Sequence, residues 1–404
     1  MKKLLYNVLR TFLNPLLLMI IKYNYARKLK SLHGQDKINV AFLVWQNAKW
    51  NGASLYQKLL SDTRFSTMIL IVHMNVSEDE INYNFFKERG YNAFKVSYLS
   101  DLLMHKPDIV FYQQPWFALG LRSNFSPFKL SRIALCFYFT YSIDNDIKLP
   151  KIWNMCKFFF RAMYKQFLFN MDCVQEFKVR GVHNAIATGH PILDVFNEPV
   201  KNNPWHDSKK YKIIYAPHHS LGTGNLQYLT FAWNGRQLLQ MAKDNPHTEW
   251  IFKPHPFFRK KIVKFGIMTA QELDNYFSEW EQIGQVYDKG DYFDIFRTSD
   301  LMITDAGAFL TQYLPTGNPV IHLIGSNESV RGIVGRKSSQ HYYKVHDLTE
   351  LESIFDMLVN QHKDPLKAER QKDAAEITYN AAENIMNVLL KILKKDTICL
   401  QSPS

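Results

Sequence analysis

Apolar runs and helical stretches alternate along most of this chain. Ile38–Trp45 is an apolar run that ends in polar Gln46 and Asn47, and Gly52 then opens the helical stretch Ala53–Leu60. Ser66–His73 is a second, β-branched run, followed by helical Glu78–Arg89. Asp108–Tyr112 and Ile133–Phe139 read as two further buried strands. Lys151–Phe169 reads as a helix, with a strand near Met171–Phe177 leading into the turn Gly189-His190-Pro191. Asn197–Lys210 is polar, aperiodic and carries two prolines, the composition of a linker. Beyond it the alternation resumes. Lys212–Ala216, Glu249–Lys253, Leu301–Thr304 and Val320–Leu323 read as strands, and Tyr228–Lys243, Tyr292–Thr298, Ala308–Leu314, Leu351–Val359 and Asp373–Leu393 as helices. Strands separated by helices pair in parallel and carry helices on both faces. The pattern predicts an α/β protein of two Rossmann-like, doubly wound domains, over 36–196 and 211–370. Residues 197–210 link them, and 371–404 carry a last helix back across a central cleft and a tail. In such sheets ligands sit at the carboxyl ends of the strands.

Residues 1–35 have a different character. Met1–Lys30 is apolar in the middle and basic at both ends, and its uninterrupted apolar run, Pro15–Ile21, is far shorter than the roughly 20 residues that span a bilayer. No small-residue cleavage site follows, while Arg27, Lys28 and Lys30 do, which disfavours a cleaved signal peptide. A basic amphipathic segment of this kind suits the membrane interface, with packing on the first domain as the plainer reading. The formal net charge of +12 implies an anionic partner. No aromatic-and-basic nucleic-acid module is legible, so a nucleic-acid partner is not expected and anionic lipid plus phosphorylated substrates fit better. The four cysteines, Cys136, Cys156, Cys173 and Cys399, show no CxxC spacing and read as small buried hydrophobes.

Five constellations stand at predicted strand ends. In Leu301-Met-Ile-Thr-Asp305-Ala-Gly307-Ala-Phe-Leu310 a strand runs out at Thr304 and Asp305, and Gly307 turns the chain into a helix whose first N–H groups could hold a pyrophosphate. Asp305 could equally cap that helix. In Lys253-Pro-His255-Pro256 two prolines brace the imidazole beside a lysine, an arrangement suited to phosphate charge. Tyr215-Ala-Pro-His218-His219-Ser220 carries adjacent histidines for acid/base work. Neighbours on an extended chain point to opposite sides, and no partner stands at ligand spacing, so neither a metal nor another cofactor is expected. Gln113 and Gln114, in Tyr112-Gln-Gln-Pro-Trp116, offer amides that could orient an acceptor hydroxyl but take no proton. Thr188-Gly-His-Pro-Ile-Leu-Asp194 could contribute to the cleft but reads better as the end of a strand.

At these residues the chain resembles the CDP-glycerol:poly(glycerophosphate) glycerophosphotransferases, which build teichoic acids and related capsular polymers. The resemblance rests on Tyr215-Ala-Pro217, Lys253–Pro256, Ser299–Asp305, Tyr313-Leu-Pro-Thr-Gly-Asn-Pro319, Gly189–Asp194 and Tyr287–Asp294, about a third of the chain in the family's order. It implies a GT-B fold, a CDP-alditol donor (glycerol or ribitol), a polymer or lipid-linked acceptor, and a peripheral position on the cytoplasmic face of a bacterial membrane. It also implies attack of an acceptor hydroxyl on the donor phosphorus with loss of CMP. His255 falls on the family's second-domain histidine, which stabilises the phosphates, and the turn at Ala306–Ala308 falls on its diphosphate turn. Lys253, Thr304, Asp305, Gly307, Ala308, Phe309 and Gln312 make up the implied donor side.

Three departures from the family stand out. Its first-domain Trp-His-Gly, which carries the base, is replaced by Gln113-Gln114-Pro115. Two serines of the diphosphate turn are Gly307 and Ala308, and an acidic residue is Gln312. His218 or His219 is the candidate replacement base. Two other functions share the pattern: a glycosyltransferase using a CMP- or UDP-sugar, and a catalytically weakened scaffold in a surface-polymer complex.

Overall fold

The computed structural model describes residues 2–119, 123–143, 150–207, 209–220, 228–288, 292–326 and 332–394. The chain divides into two compact units. The first takes residues up to Asp194 together with those from Thr378 onward, and the second takes Val195–Ile377. Among the described residues, the first unit holds a seven-stranded sheet of β1 (Ile38–Val44), β2 (Phe65–Val72), β3 (Ala93–Val96), β4 (Ile109–Tyr112), β5 (Leu135–Phe139), β6 (Lys165–Leu168) and β7 (Ala185–Ala187). The second holds a six-stranded sheet of β8 (Tyr211–Ala216), β9 (Thr248–Phe252), β10 (Gln285–Val286), β11 (Leu301–Thr304), β12 (Val320–Leu323) and β13 (Tyr343–Val345).

Every ladder is parallel. The orders are 3-2-1-4-5-6-7 in the first sheet and 10-9-8-11-12-13 in the second, each a Rossmann order that reverses direction beside its first strand. β4, β5, β9, β11 and β12 are buried at every residue, as expected of strands covered on both faces.

Several elements differ from the pattern reading. Met171–Val179 is a helix rather than a strand, begun by Asn170, whose side chain accepts from Cys173 N at 3.0 Å. The strand there is β6, inside the stretch read as helix, and the helix stops at Ala162. Asp373–Leu393 is two helices, Lys367–Ala375 and Ala381–Leu393. The helix Ala270–Ile283 escaped notice, although Thr269 and Glu272 form a capping box ahead of buried Leu273, Tyr276, Phe277 and Trp280. The polar segment read as a linker is bound along the second unit. Asp294 accepts from Lys201 N and Asn202 N, and Glu249 accepts from His206 N and Asp207 N.

Two contacts anchor the returning helix Ala381–Leu393 to the first unit, where it packs on Ala53–Leu60. Asp194 accepts from Ala381 N at 2.8 Å and Ala382 N at 2.9 Å, so a carboxylate from elsewhere in the chain caps this helix. Gly189, at φ +83°, leaves room for the chain at Thr378, whose carbonyl oxygen would lie 2.9 Å from any Cβ.

The N-terminal helix, Lys2–Leu32, buries Leu18, Ile21, Tyr25 and Leu32 in the first unit, and Tyr25 donates to Ala162 O at 2.8 Å. Its other side exposes Leu13, Leu16, Met19, Ile20 and Tyr23. Among the described residues, no helix is long and apolar enough to cross a membrane.

Asp194→Ala removes both capping bonds and should cost about 1–3 kcal/mol. Urea unfolding followed by far-ultraviolet circular dichroism checks this, with Asp194→Asn expected to lose less.

Candidate functional site

The second sheet reverses direction between β8 and β11, and the sequence puts polar residues where both strands end. Thr304, the last residue of β11, pairs with Ala216 in register and donates its hydroxyl to Ala216 O at 2.6 Å. The same hydroxyl oxygen accepts from Ala306 N at 3.0 Å. Asp305 is buried. One of its carboxylate oxygens accepts from His218 N at 2.6 Å, and the other accepts from Thr230 N at 2.7 Å and the Thr230 hydroxyl at 2.9 Å. Thr304 and Asp305 therefore join the ends of β8 and β11 and fix the loop that carries the histidines. Burial pushes the Asp305 carboxyl up to about 6, against the lowering effect of its three hydrogen bonds.

Beyond Pro217 the chain is not extended, so His218 and His219 do not diverge as the extended reading expected. Ser220 N donates to His218 Nδ1 at 3.2 Å and the Ser220 hydroxyl lies 2.8 Å from the same atom, which bends the backbone. The two rings lie with centroids 4.4 Å apart. From the end of β9 comes His255, stacked on His219 at 3.7 Å and 5.5 Å from His218. Its backbone N–H donates to Pro217 O at 3.2 Å, and its Nδ1 accepts from Phe257 N at 3.1 Å. A backbone N–H can only donate, so Nδ1 is an acceptor in both His218 and His255, and the proton of each neutral ring lies on Nε2. Burial, followed by the charge of His219, pushes His218 down to about 4. Burial, then His219, His218 and Lys253, pushes His255 down to about 3. His219 is lowered by burial and then by Lys261. Three neutral imidazoles thus share one corner of the sheet. Among the described residues, no three His, Cys, Asp or Glu side chains are arranged to hold a metal.

Lys253 is buried one residue beyond β9, with its Nζ over the rings of Tyr292 at 4.7 Å, Phe309 at 5.6 Å and Tyr287 at 5.8 Å. Tyr292 donates to Gln312 Oε1 at 2.9 Å, so the Gln312 amide oxygen already accepts a bond. Tyr287 and Tyr292 belong to the stretch Tyr287–Asp294 that carries part of the family resemblance, and of that stretch Lys289, Gly290 and Asp291 lie outside the described residues. The helix Gly307–Gln312 begins with no side chain capping it. Phe309 N donates to Ala306 O at 3.0 Å and is spoken for, which leaves, among the described residues, the Gly307 and Ala308 amides as the open donors of that turn.

In the first unit the expected acceptor amides turn inward. Gln113 and Gln114 are each 2% exposed, and their side-chain oxygens accept from Asn51 N at 3.0 Å and Trp45 N at 3.4 Å. They hold the loop after β1. His190 is buried with both nitrogens engaged, by Thr140 O at 2.9 Å and Ile192 N at 3.3 Å, and ends its strand as expected. Lys49, in that β1 loop, was not singled out from the sequence. It is half-buried with Nζ 5.5 Å from the Tyr141 ring centroid, and burial lowers its pKa.

The fold of this chain resembles that of several solved structures. A wall teichoic acid polymerase, TagF, superposes with a TM-score of 0.59 at 12% identity, over 95% of this chain and 98% of that one. The UDP-GlcNAc 2-epimerase from Neisseria meningitidis bound to UDP-GlcNAc superposes at 0.57 and 14% identity, over 88% of this chain and 100% of that one. A putative epimerase of the same kind from Listeria monocytogenes gives 0.60 at 14%, over 90% and 98%. The fold is GT-B. No family model and no curated protein matches the chain. For this GT-B chain, the likeness at such identities carries the fold alone.

Acidification provides a test of the histidine environment. Below pH 6.5 the unfolded chain takes up protons that the native His218, His255 and His190 imidazoles, held down to about 4, 3 and 4, still refuse. Stability therefore falls as pH drops from 6.5 toward 4. Asp305 works in the opposite sense, since its native carboxyl binds a proton below about 6, before the unfolded one does, and a single group is outweighed. Urea midpoints should decline steadily between pH 6.5 and 4.5, and His255→Asn should make that decline shallower.

Proposed function

We propose that the chain is a transferase acting on a CDP-alditol, CDP-glycerol or CDP-ribitol, and passing the alditol phosphate to a polymer or lipid-linked acceptor of a surface polymer. The observation that carries this reading is the cluster of His218, His219 and His255 beside buried Lys253, at the point where the second sheet reverses direction. It is supported by the sequence motifs at the same residues and by the GT-B fold shared with the TagF polymerase, of which one structure was soaked with CDPG.

In the transfer, an acceptor hydroxyl oxygen forms the new P–O bond as the bond from phosphorus to CMP breaks. CMP leaves with added negative charge, and the hydroxyl proton passes to a base. Catalysis of this kind consists of positioning and charge neutralisation. Two imidazoles carrying Nε2–H, with the Lys253 ammonium nearby, are donors to phosphate oxygens. Their neutrality avoids burying cations in the empty site, and a bound diphosphate raises imidazole pKa values by opposite charge, so binding itself recruits protons. This assigns His218 and His255 to donation. His219 remains as the candidate base, because His218 Nδ1 is committed to Ser220. Gly307 and Ala308 amides would complete the diphosphate contacts.

The same reading puts the enzyme on the inner face of the cell membrane, held through the exposed apolar side of the N-terminal helix and the net charge of +12. A second reading, sugar transfer from a CMP- or UDP-sugar, draws on the fold shared with proteins bound to UDP-GlcNAc.

A thermal-shift screen across CDP-glycerol, CDP-ribitol, CMP-sugars and UDP-sugars separates these, since a ligand of the native state raises the melting temperature. CMP release with phosphate incorporated into the acceptor supports the first reading, and sugar incorporation the second. His255→Ala should lower turnover by on the order of 10²-fold or more while the protein stays folded. Near wild-type turnover in that variant would remove His255 from the mechanism. Deleting the N-terminal helix would strip Leu18, Ile21, Tyr25 and Leu32 from the core, so membrane attachment is better tested by Leu16→Ser with Ile20→Ser. That pair should move the protein from the membrane pellet to the supernatant and change stability by no more than about 0.5 kcal/mol per site.

A further inference from the structure

A cavity of about 410 Å³ lies in the first unit between the N-terminal helix and the segments that lead into β4 and β5. Its volume is within the roughly 300–1,000 Å³ of small-ligand sites. Arg27 and Lys28 line it from the helix, Lys106 and Asp108 from the approach to β4, and Arg132 from the approach to β5. Asp108 is the only acidic residue among its lining. That carboxylate is committed, to Lys28 Nζ at 2.7 Å and to Asn39 N at 2.9 Å. Arg27, Lys106 and Arg132 make no ion pair among the described residues, which leaves an excess of cations around one small cavity. Lys106 sits at φ +45°, a left-handed backbone that side-chain-bearing residues rarely adopt. Its carbonyl accepts from Asn39 Nδ2 at 3.2 Å, which helps hold the loop in place.

The helix face beside this cavity is apolar and exposed. Leu13, Leu16, Ile20 and Tyr23 are 48%, 54%, 38% and 64% exposed, and Arg27 follows four residues after Tyr23. Successive spacings of three and four residues set all five along one stripe. The stripe therefore runs from apolar side chains to the mouth of the cavity within about 21 Å, at 1.5 Å per residue.

We propose that this cavity is a binding site for the phosphate of an anionic membrane lipid, seated while the apolar stripe above it enters the acyl boundary. The inference rests on the reading of the N-terminal helix as a membrane contact and adds to it a headgroup site made by Arg27, Lys106 and Arg132. A phosphate diester supplies the negative charge that the cavity lacks, and the adjoining stripe makes lipid, rather than free phosphate, the source.

Vesicle co-sedimentation of the full chain tests this. The vesicles are phosphatidylcholine alone, or phosphatidylcholine with phosphatidylglycerol at about seven to three. The wild type should prefer the anionic vesicles. Lys106→Asn with Arg132→Gln, both at exposed positions, should lower binding to anionic vesicles by roughly tenfold or more and leave any binding to neutral ones unchanged. Asparagine tolerates the left-handed backbone at 106. Should circular dichroism show that pair unfolded, Arg27→Gln alone repeats the measurement. A pocket variant that binds anionic vesicles like the wild type overturns the headgroup site and leaves the membrane reading standing. A wild type that binds neither vesicle, or that self-associates through the stripe in light scattering instead, overturns both. Full competition by millimolar inorganic phosphate would make this a free-phosphate site and overturn the lipid assignment.

Discussion

One buried carboxylate holds the candidate site in shape. The oxygens of Asp305 take hydrogen bonds from the backbone of His218, from the backbone of Thr230 and from the Thr230 hydroxyl. Those donors lie on the loop after β8 and at the start of the helix Phe231–Asp244, while Asp305 follows β11. A single side chain thus ties the loop after β8 and the start of that helix to the end of β11, just beyond the last paired residues Ala216 and Thr304. Without it, two buried backbone N–H groups would lose their partners, a cost of about 1–3 kcal/mol each. The histidine corner depends on this tie, because His218 is held through its own N–H, and His255 through Pro217 O one residue earlier.

Around that anchor the imidazoles are kept neutral by burial and by one another. Two stacked rings at 3.7 Å could not both be cations without large mutual repulsion, and Lys253 already supplies one fixed charge nearby. On the proposed reading, a bound diphosphate would raise these imidazole pKa values by opposite charge and turn the corner into a set of donors. The aromatic rings of Tyr287, Tyr292 and Phe309 play a related part for Lys253, since their faces offer a buried cation partial compensation.

The strands of both sheets were legible because strands covered on both faces read as unbroken apolar runs, as at β4 and β11. The short outer strands β3, β7, β10 and β13 have no such signature, and the four-residue interior strand β6 lies within a stretch that reads as helix. Met171–Val179 reads as a strand from its short apolar stretch, whereas Asn170, the cap that starts the helix, lies outside that stretch. The capping box at Thr269 and Glu272 is a local sequence signal of the helix Ala270–Ile283. Within the site, sequence located strand ends but not the direction of their side chains. Gln113, Gln114, Thr304 and Asp305 all occupy the expected edge and all point their polar atoms into loop backbone. Polar residues at a strand end serve two competing demands, satisfying the turn's own N–H and C=O groups and facing a ligand, and composition alone does not separate them. His255 was distinguishable because prolines on both sides remove the local backbone donors at 254 and 256.

The N-terminal helix shows how one element can answer both demands along opposite faces. Leu18, Ile21, Tyr25 and Leu32 recur at helical spacing and are buried, so this face belongs to the first unit's core. The other face keeps Leu16, Met19 and Tyr23 more than half exposed, and a protein gains nothing in its own folding by leaving three such side chains in water. The position of the helix sharpens the point. Its basic end meets the sheet where β4 and β5 begin, at Asp108 and Ile133, while Gln113 and Thr140 mark where the same strands end. Four residues of β4 separate these edges by about 13 Å at ~3.3 Å per residue. A parallel sheet collects its ligand-facing loops at the carboxyl ends of its strands, and the amino ends are left free for attachment. The proposed membrane attachment at that edge would hold the chain to a surface without occupying the loops that the proposed chemistry requires.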